Sequence, residues 1–144
     1  LACDLALASR AARFALPEVK RGLVATAGGL IHLPRVLPRA LAFELIATGD
    51  AVPADIAMKL GIVSQIHDCD ELLPEALNLA ARINRNAPLA VRESLALARM
   101  AQDLNTAELF DRSAEANRRI VNTDDAREGS RAFLEKREAV WKAI

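Results

Sequence analysis

The sequence predicts an α/β chain that is mostly helical: short strands and turns come first, and a helical region follows. Three observations predict it. The 144 residues are 52% hydrophobic and 26% charged, which excludes disorder and allows a sizeable buried core. At this length one domain is expected, or one small core with a helical appendage. The composition also shifts near residue 67: before it Gly and Pro punctuate short apolar segments, and after it helix formers dominate, with one glycine, Gly129. The expected organisation is therefore a first part over residues 1–66 and a helical part over 67–144.

In the first part, Asp4 to Ser9 reads as a short buried strand. Arg10 to Arg21 reads as loop and short extended pieces, broken by Pro17 and ended by Gly22. Gly28-Gly29 opens an apolar stretch, Leu30 to Leu33, that Pro34 closes. From Pro38 the pattern turns helical: Leu41, Glu44, Leu45 and Thr48 share a face, and Gly49 supplies a C-terminal stop. A second helix fits Pro53 to Leu60, with the proline early and Gly61 just past the end. Ile62 to Ile66 is short and rich in β-branched residues, as a strand should be.

Four helices are expected after residue 67. Leu72, Ala76, Leu79 and Ile83 form one stripe, and Val91, Leu95, Ala98 and Gln102 the next, with Pro88 in a first turn. Leu109, Ser113, Ala116 and Ile120 form a third. Thr123 caps the fourth helix, Asp124 and Asp125 meet its dipole, and Ala126, Phe133 and Val140 line its apolar side. Core packing explains such stripes; a helical interface is the alternative.

Nineteen basic and nineteen acidic side chains leave no net charge, and aromatic residues are 3% with no Tyr. Neither the basic footprint nor the stacking platform of a nucleic-acid binder is present. No apolar run reaches the roughly 18 residues that cross a bilayer. The start lacks a basic region and a Met, so a signal peptide is not expected and the chain is expected to begin inside a longer protein. Cys3 and Cys69 lie far apart, and reduced thiols in the cytoplasm are the expectation.

With His32 and His67, these cysteines are the only soft metal ligands, and no pair shows CxxC or HxxxH spacing, so no metal is expected. Gly28-Gly29 lacks the patterns of dinucleotide and phosphate loops. It reads either as a tight turn or as bare backbone N–H groups offered to an anion or a water. Glu18 sits between Pro17 and Val19 in a mostly apolar run. If that run is buried, its carboxyl is suited to proton transfer; otherwise it is a surface glutamate paired with Lys20 or Arg21.

An ordered set of segments resembles the enoyl-CoA hydratase/isomerase family, the crotonases. It begins with Cys3-Asp4-Leu5 and Ala8-Ser9, then Arg13-Phe14-Ala15-Leu16-Pro17-Glu18-Val19-Lys20-Arg21-Gly22. It continues through Ala27-Gly28-Gly29, Leu33-Pro34-Arg35, Glu44 to Gly49 and Leu60-Gly61-Ile62-Val63. It ends with Thr123 to Gly129 and Ala132-Phe133-Leu134-Glu135-Lys136-Arg137.

The resemblance implies a ββα spiral followed by a helical region that covers the coenzyme A site and builds trimers or hexamers. It implies an acyl-CoA substrate, an enolate-like intermediate, and no cofactor beyond the coenzyme A of the substrate. Glu18 matches the general acid/base of the family's Pro-Glu motif, and Pro17 would fix the backbone that aims it. Phe133 and Lys136 match positions that reach a neighbouring subunit's coenzyme A. Thr26 stands where the family's Gly-Ala-Gly-Gly turn faces the catalytic water, and Leu30-Ile31-His32 replaces the commoner Thr-Gln-Arg. Both oxyanion donors and the family's second glutamate would fall before Leu1. The expected reaction is hydration of a 2-enoyl-CoA in fatty acid metabolism, with the chain alone nearly inactive. The alternatives are double-bond isomerisation, which one carboxylate can perform, and a non-catalytic oligomerisation or binding module using Leu109 to Val121 and Phe133 to Trp141.

Overall fold

Two short sheets organise the first half of the chain. The computed structural model describes residues 1–144, in the order β1 (Leu7–Ser9), β2 (Arg13–Phe14), a 3₁₀ turn (Pro17–Arg21), α1 (Gly29–Val36), α2 (Arg39–Thr48), β3 (Val52–Pro53), α3 (Ala54–Lys59) and β4 (Gln65–His67). Four helices follow: α4 (Leu72–Asn84), α5 (Pro88–Met100), α6 (Thr106–Ile120) and α7 (Asp124–Glu135). β1 pairs in parallel with β4, Ala8 opposite Ile66, and β2 pairs antiparallel with β3, Phe14 opposite Val52. The residues form two compact units, Leu1–Asn78 and Leu79–Ile144, and the division falls inside α4.

The core of the first unit is built on small residues. Ala8, Val52, Ala57 and Val63 form one buried cluster, and Leu33, Leu37 and Ala42 another. Leu45, Leu60 and Ile62 pack against both. Alanines at these points let α2 pack on α1 and α3 on β3 and β4, while the larger partners fill the margins. Gly49 ends α2 in the left-handed region, φ 63°, as a C-terminal stop should.

Several expectations need correction. Pro34 does not close the stretch after Gly28-Gly29; it lies inside α1, which runs on to Val36. Its missing N–H costs a bond to Leu30 early in a short helix, a loss that the packing of Leu33 and Leu37 outweighs. Pro53 precedes α3 as a strand residue. The strand expected over Ile62–Ile66 is Gln65–His67, because Ile62 and Val63 turn inward to the core and only later residues reach β1. The segment 17–21 is a 3₁₀ turn rather than extended chain.

The second unit holds its helices with side-chain caps and ion pairs. Asn105 Oδ1 accepts from Glu108 N at 3.0 Å, and Thr123 Oγ1 accepts from Ala126 N at 3.2 Å. Arg119 bridges Glu93 on α5 and Glu115 on its own helix, both at 2.9 Å. The stripe expected on α5 is misplaced: Leu95 and Ala98 are exposed, whereas Leu89, Ala96, Leu97 and Met100 are partly buried. On α7 the expected apolar side is also wrong. Phe133 is 83% exposed and Val140 lies beyond the helix, while Asp125 and Ala132 are buried. The reason is the tail, which lies along that face: Asp125 accepts Lys142 N at 2.7 Å and Ala143 N at 3.0 Å.

Candidate active site

The segment from Arg13 to Gly22 sets one carboxyl at a cavity. Pro17 starts the 3₁₀ turn, its fixed φ suited to a first helical position, and Gly22 ends it at φ 69°. Glu18 is the second residue of that turn, and Leu23 N donates to its backbone carbonyl at 3.0 Å. The turn is wedged between two glycines. A Cβ at Gly49 would lie 3.2 Å from Leu16 O and from Val19 Cγ2, and one at Gly29 would overlap the Leu16 side chain. Lys20 Nζ donates to Asp50 Oδ1 at 2.8 Å, tying the turn to the end of α2. That hydrogen bond, then the lysine's charge, holds the Asp50 carboxyl below the usual aspartate value.

Glu18 opens on a cavity of about 320 Å³. Its walls come from Leu1, Ala2, Leu16, Ala25, Ala27, the pair Gly28-Gly29 and His32. Glu18 Oε2 is buried and has no hydrogen-bond partner. Lys20 is committed to Asp50, so the surface pairing with that lysine does not form. Gly28 has φ 98° and caps α1, which brings His32, one helical turn on, over the glycine. A second cavity, about 280 Å³, shares Leu1 and Leu16 as walls and is otherwise lined mainly by apolar residues such as Phe14, Leu33, Val52 and Ile62.

The other expected site residues lie elsewhere. Thr26 is exposed and does not line the cavity, although its neighbours Ala25 and Ala27 do. Phe133 and Lys136 belong to the second unit, where Lys136 ends α7 at φ 53°. That unit has a groove of about 410 Å³ along α7, walled by charged residues including Arg127, Glu128, Arg131 and Arg137; neither Phe133 nor Lys136 lines it. Sequence reasoning counted His32 only as a possible metal ligand and a departure from a pattern. Its spacing of four from Gly28 was the available signal, once residues 29–36 are recognised as helix.

The profile of one family, described as enoyl-CoA hydratase/isomerase, matches residues 1–143. The chain belongs to this family. Among its relatives, a carnitinyl-CoA dehydratase of Salmonella arizonae is 35% identical over 99% of this chain and 56% of its own length. An enoyl-CoA hydratase of Mycobacterium tuberculosis superposes with a TM-score of 0.96 at 38% identity, covering 100% of this chain and 57% of that one. For an enoyl-CoA hydratase of Bacillus anthracis the TM-score is 0.95 at 30% identity, over 99% and 55%. The chain thus spans a little over half the length of the relatives it matches. Its fold is the corresponding, mostly helical portion of the crotonase fold. No helix is long and apolar enough to cross a membrane.

Proposed function

We propose that the protein is an acyl-CoA-processing enzyme that hydrates 2-enoyl-CoA thioesters, with Glu18 as general acid/base. The observation that carries this reading is the buried, unpartnered Glu18 Oε2 at a cavity beside Gly28-Gly29, in a chain of the enoyl-CoA hydratase/isomerase family. A carboxyl oxygen kept from water and from protein donors is available to a substrate proton.

In this reading the Glu18 carboxylate takes a proton from water as the water oxygen adds to the β-carbon. The electron pair of the double bond moves toward the thioester oxygen, and the proton on Glu18 then passes to the α-carbon. The apolar cavity that shares Leu1 and Leu16 suits the acyl chain. Phe133 and Lys136 contact the coenzyme A of a neighbouring subunit in a trimer or hexamer, Phe133 offering an exposed aromatic face and Lys136 a point charge for phosphate. Residues 1–66 supply the end of the spiral core, and 67–144 the helical cover. Pro17 positions Glu18, the coenzyme A moiety of the substrate serves in place of a separate cofactor, and the compartment is the cytoplasm.

Double-bond isomerisation is the second reading, since one carboxylate at the cavity can carry a proton between two carbons. The test is loss of enoyl-thioester absorbance with crotonyl-CoA in the full-length protein, beside Glu18→Gln. The variant should lose about a hundred- to ten-thousand-fold in kcat, as expected when a general acid/base is removed. A variant that keeps wild-type turnover overturns the assignment of Glu18. Product analysis with a 3-enoyl-CoA separates isomerase from hydratase.

A further inference from the structure

Two polar groups face the same small cavity without partners. Glu18 Oε2 is buried and unbonded, and the His32 ring makes no hydrogen bond within the chain. All other walls are aliphatic side chain or glycine. A buried carboxyl oxygen is normally satisfied, and the space between Glu18 Oε2 and His32 is where a partner for it fits. The imidazole lies over Gly28. A Cβ at Gly28 would stand 3.3 Å from His32 Cδ2 and 3.6 Å from Nε2, so the left-handed glycine both caps α1 and makes room for the ring. The charged groups near it are Glu18, across the cavity on the 3₁₀ turn, and Arg35, three residues further along α1.

We propose that His32 is a substrate-contacting residue of this cavity, whose imidazole hydrogen-bonds the oxygen at the acyl β-carbon, as water before addition and as hydroxyl after it. This rests on the acyl-CoA reading above and adds to it the residue that selects a β-oxygenated acyl group. In the addition, one O–H bond of water breaks and its proton goes to Glu18, while the C–O bond forms at the β-carbon. The other O–H donates to a ring nitrogen of His32, which gains and loses no proton. Its contribution is orientation of the attacking oxygen, a factor that acts through geometry rather than charge.

The test uses the full-length protein and two thioesters that differ by one hydroxyl, butanoyl-CoA and 3-hydroxybutanoyl-CoA, titrated by calorimetry and by NMR of the His32 and His67 rings, assigned by substitution. The chain has two histidines. His67, whose Nε2 shares a hydrogen bond with Gln65 Oε1 at 3.0 Å and which does not line the cavity, is the internal control. The hydroxylated thioester should shift the His32 signals, butanoyl-CoA should leave them in place, and His67 should follow neither. His32→Leu should weaken the hydroxylated thioester about five- to tenfold, the weight of one neutral hydrogen bond, and leave butanoyl-CoA unchanged. His32→Gln, which keeps a hydrogen-bonding side chain, should restore most of that loss. Two bound thioesters with no difference at His32, or equal weakening of both by the substitution, overturn the proposal and leave the acyl-CoA reading intact. If neither thioester binds, the acyl-CoA reading fails and the proposal falls with it. The NMR comparison needs no leucine variant, so poor folding of His32→Leu does not remove the test.

Discussion

Glu18 and Asp125 are both carboxylates drawn out of water, and their surroundings could hardly differ more. Asp125 is 2% exposed and its two oxygens accept the backbone N–H groups of Lys142 and Ala143. Beside it, Glu128 takes both terminal nitrogens of Arg137 and the N–H of Val140. Glu18 Oε2 is as well shielded and has nothing. A satisfied carboxylate fastens a chain; an unsatisfied one is kept open for something that arrives. The same residue class therefore serves as a clasp on α7 and stands unpartnered on the 3₁₀ turn.

The largest effect expected on stability comes from the clasp. Asp125→Ala leaves two backbone donors of the tail without acceptors and should cost about 1.5–3 kcal/mol in urea unfolding, the range for a hydrogen bond to a charged group. Glu18→Gln should leave unfolding free energy within about 0.5 kcal/mol of wild type, as expected of a side chain with no protein partner to lose. Equal losses in the two variants would break the comparison.

Gly49→Ala should come next. It forces an alanine to φ 63° and sets a Cβ 3.2 Å from Leu16 O, at a cost of about 1–2 kcal/mol for the left-handed conformation. Because Leu16 and Val19 flank Glu18, this variant should also lower crotonyl-CoA turnover in the full-length protein, and unfolding and rate measured on one preparation check both.

The smallest effect is electrostatic. The Arg137 hydrogen bond first, and the Val140 N–H second, hold the Glu128 carboxyl down to about 2. That lies below the unfolded value of about 4.3, so the contribution is present above that pH and fades as the pH falls toward 2. Trp141, the single tryptophan, reports the change: its ring lies on Gly129 and its Nε1 donates to Arg85 O at 2.7 Å. Its fluorescence should alter over that acid interval, and Glu128→Gln should remove the transition. An identical acid profile in the variant would show that the tail is held by Asp125 alone.

The helices after residue 67 were legible because they are long and carry local signals. Pro88 starts α5, Thr123 caps α7, and Asn105 with Glu108 three residues on forms a capping pattern at α6. Short elements were less legible. β4 and the 3₁₀ turn depend on which apolar residues the core takes first, and Ile62 and Val63 are claimed by it before pairing begins. On α7 the heptad-like set Ala126, Phe133 and Val140 misled, since a tail folded back along a helix reverses which face is buried.

The sequence alone determined the mostly helical character, the stops at Gly22, Gly49 and Gly61, the family, and Glu18 as the carboxyl to watch. These follow from residue types acting on their near neighbours, or from an ordered set of motifs. Only the tertiary structure decided that Glu18 Oε2 lacks a partner, that His32 faces the same cavity, and that Asp125 faces inward. Each of those depends on groups distant in the chain competing for one donor, one acceptor or one space, and local sequence does not encode that competition.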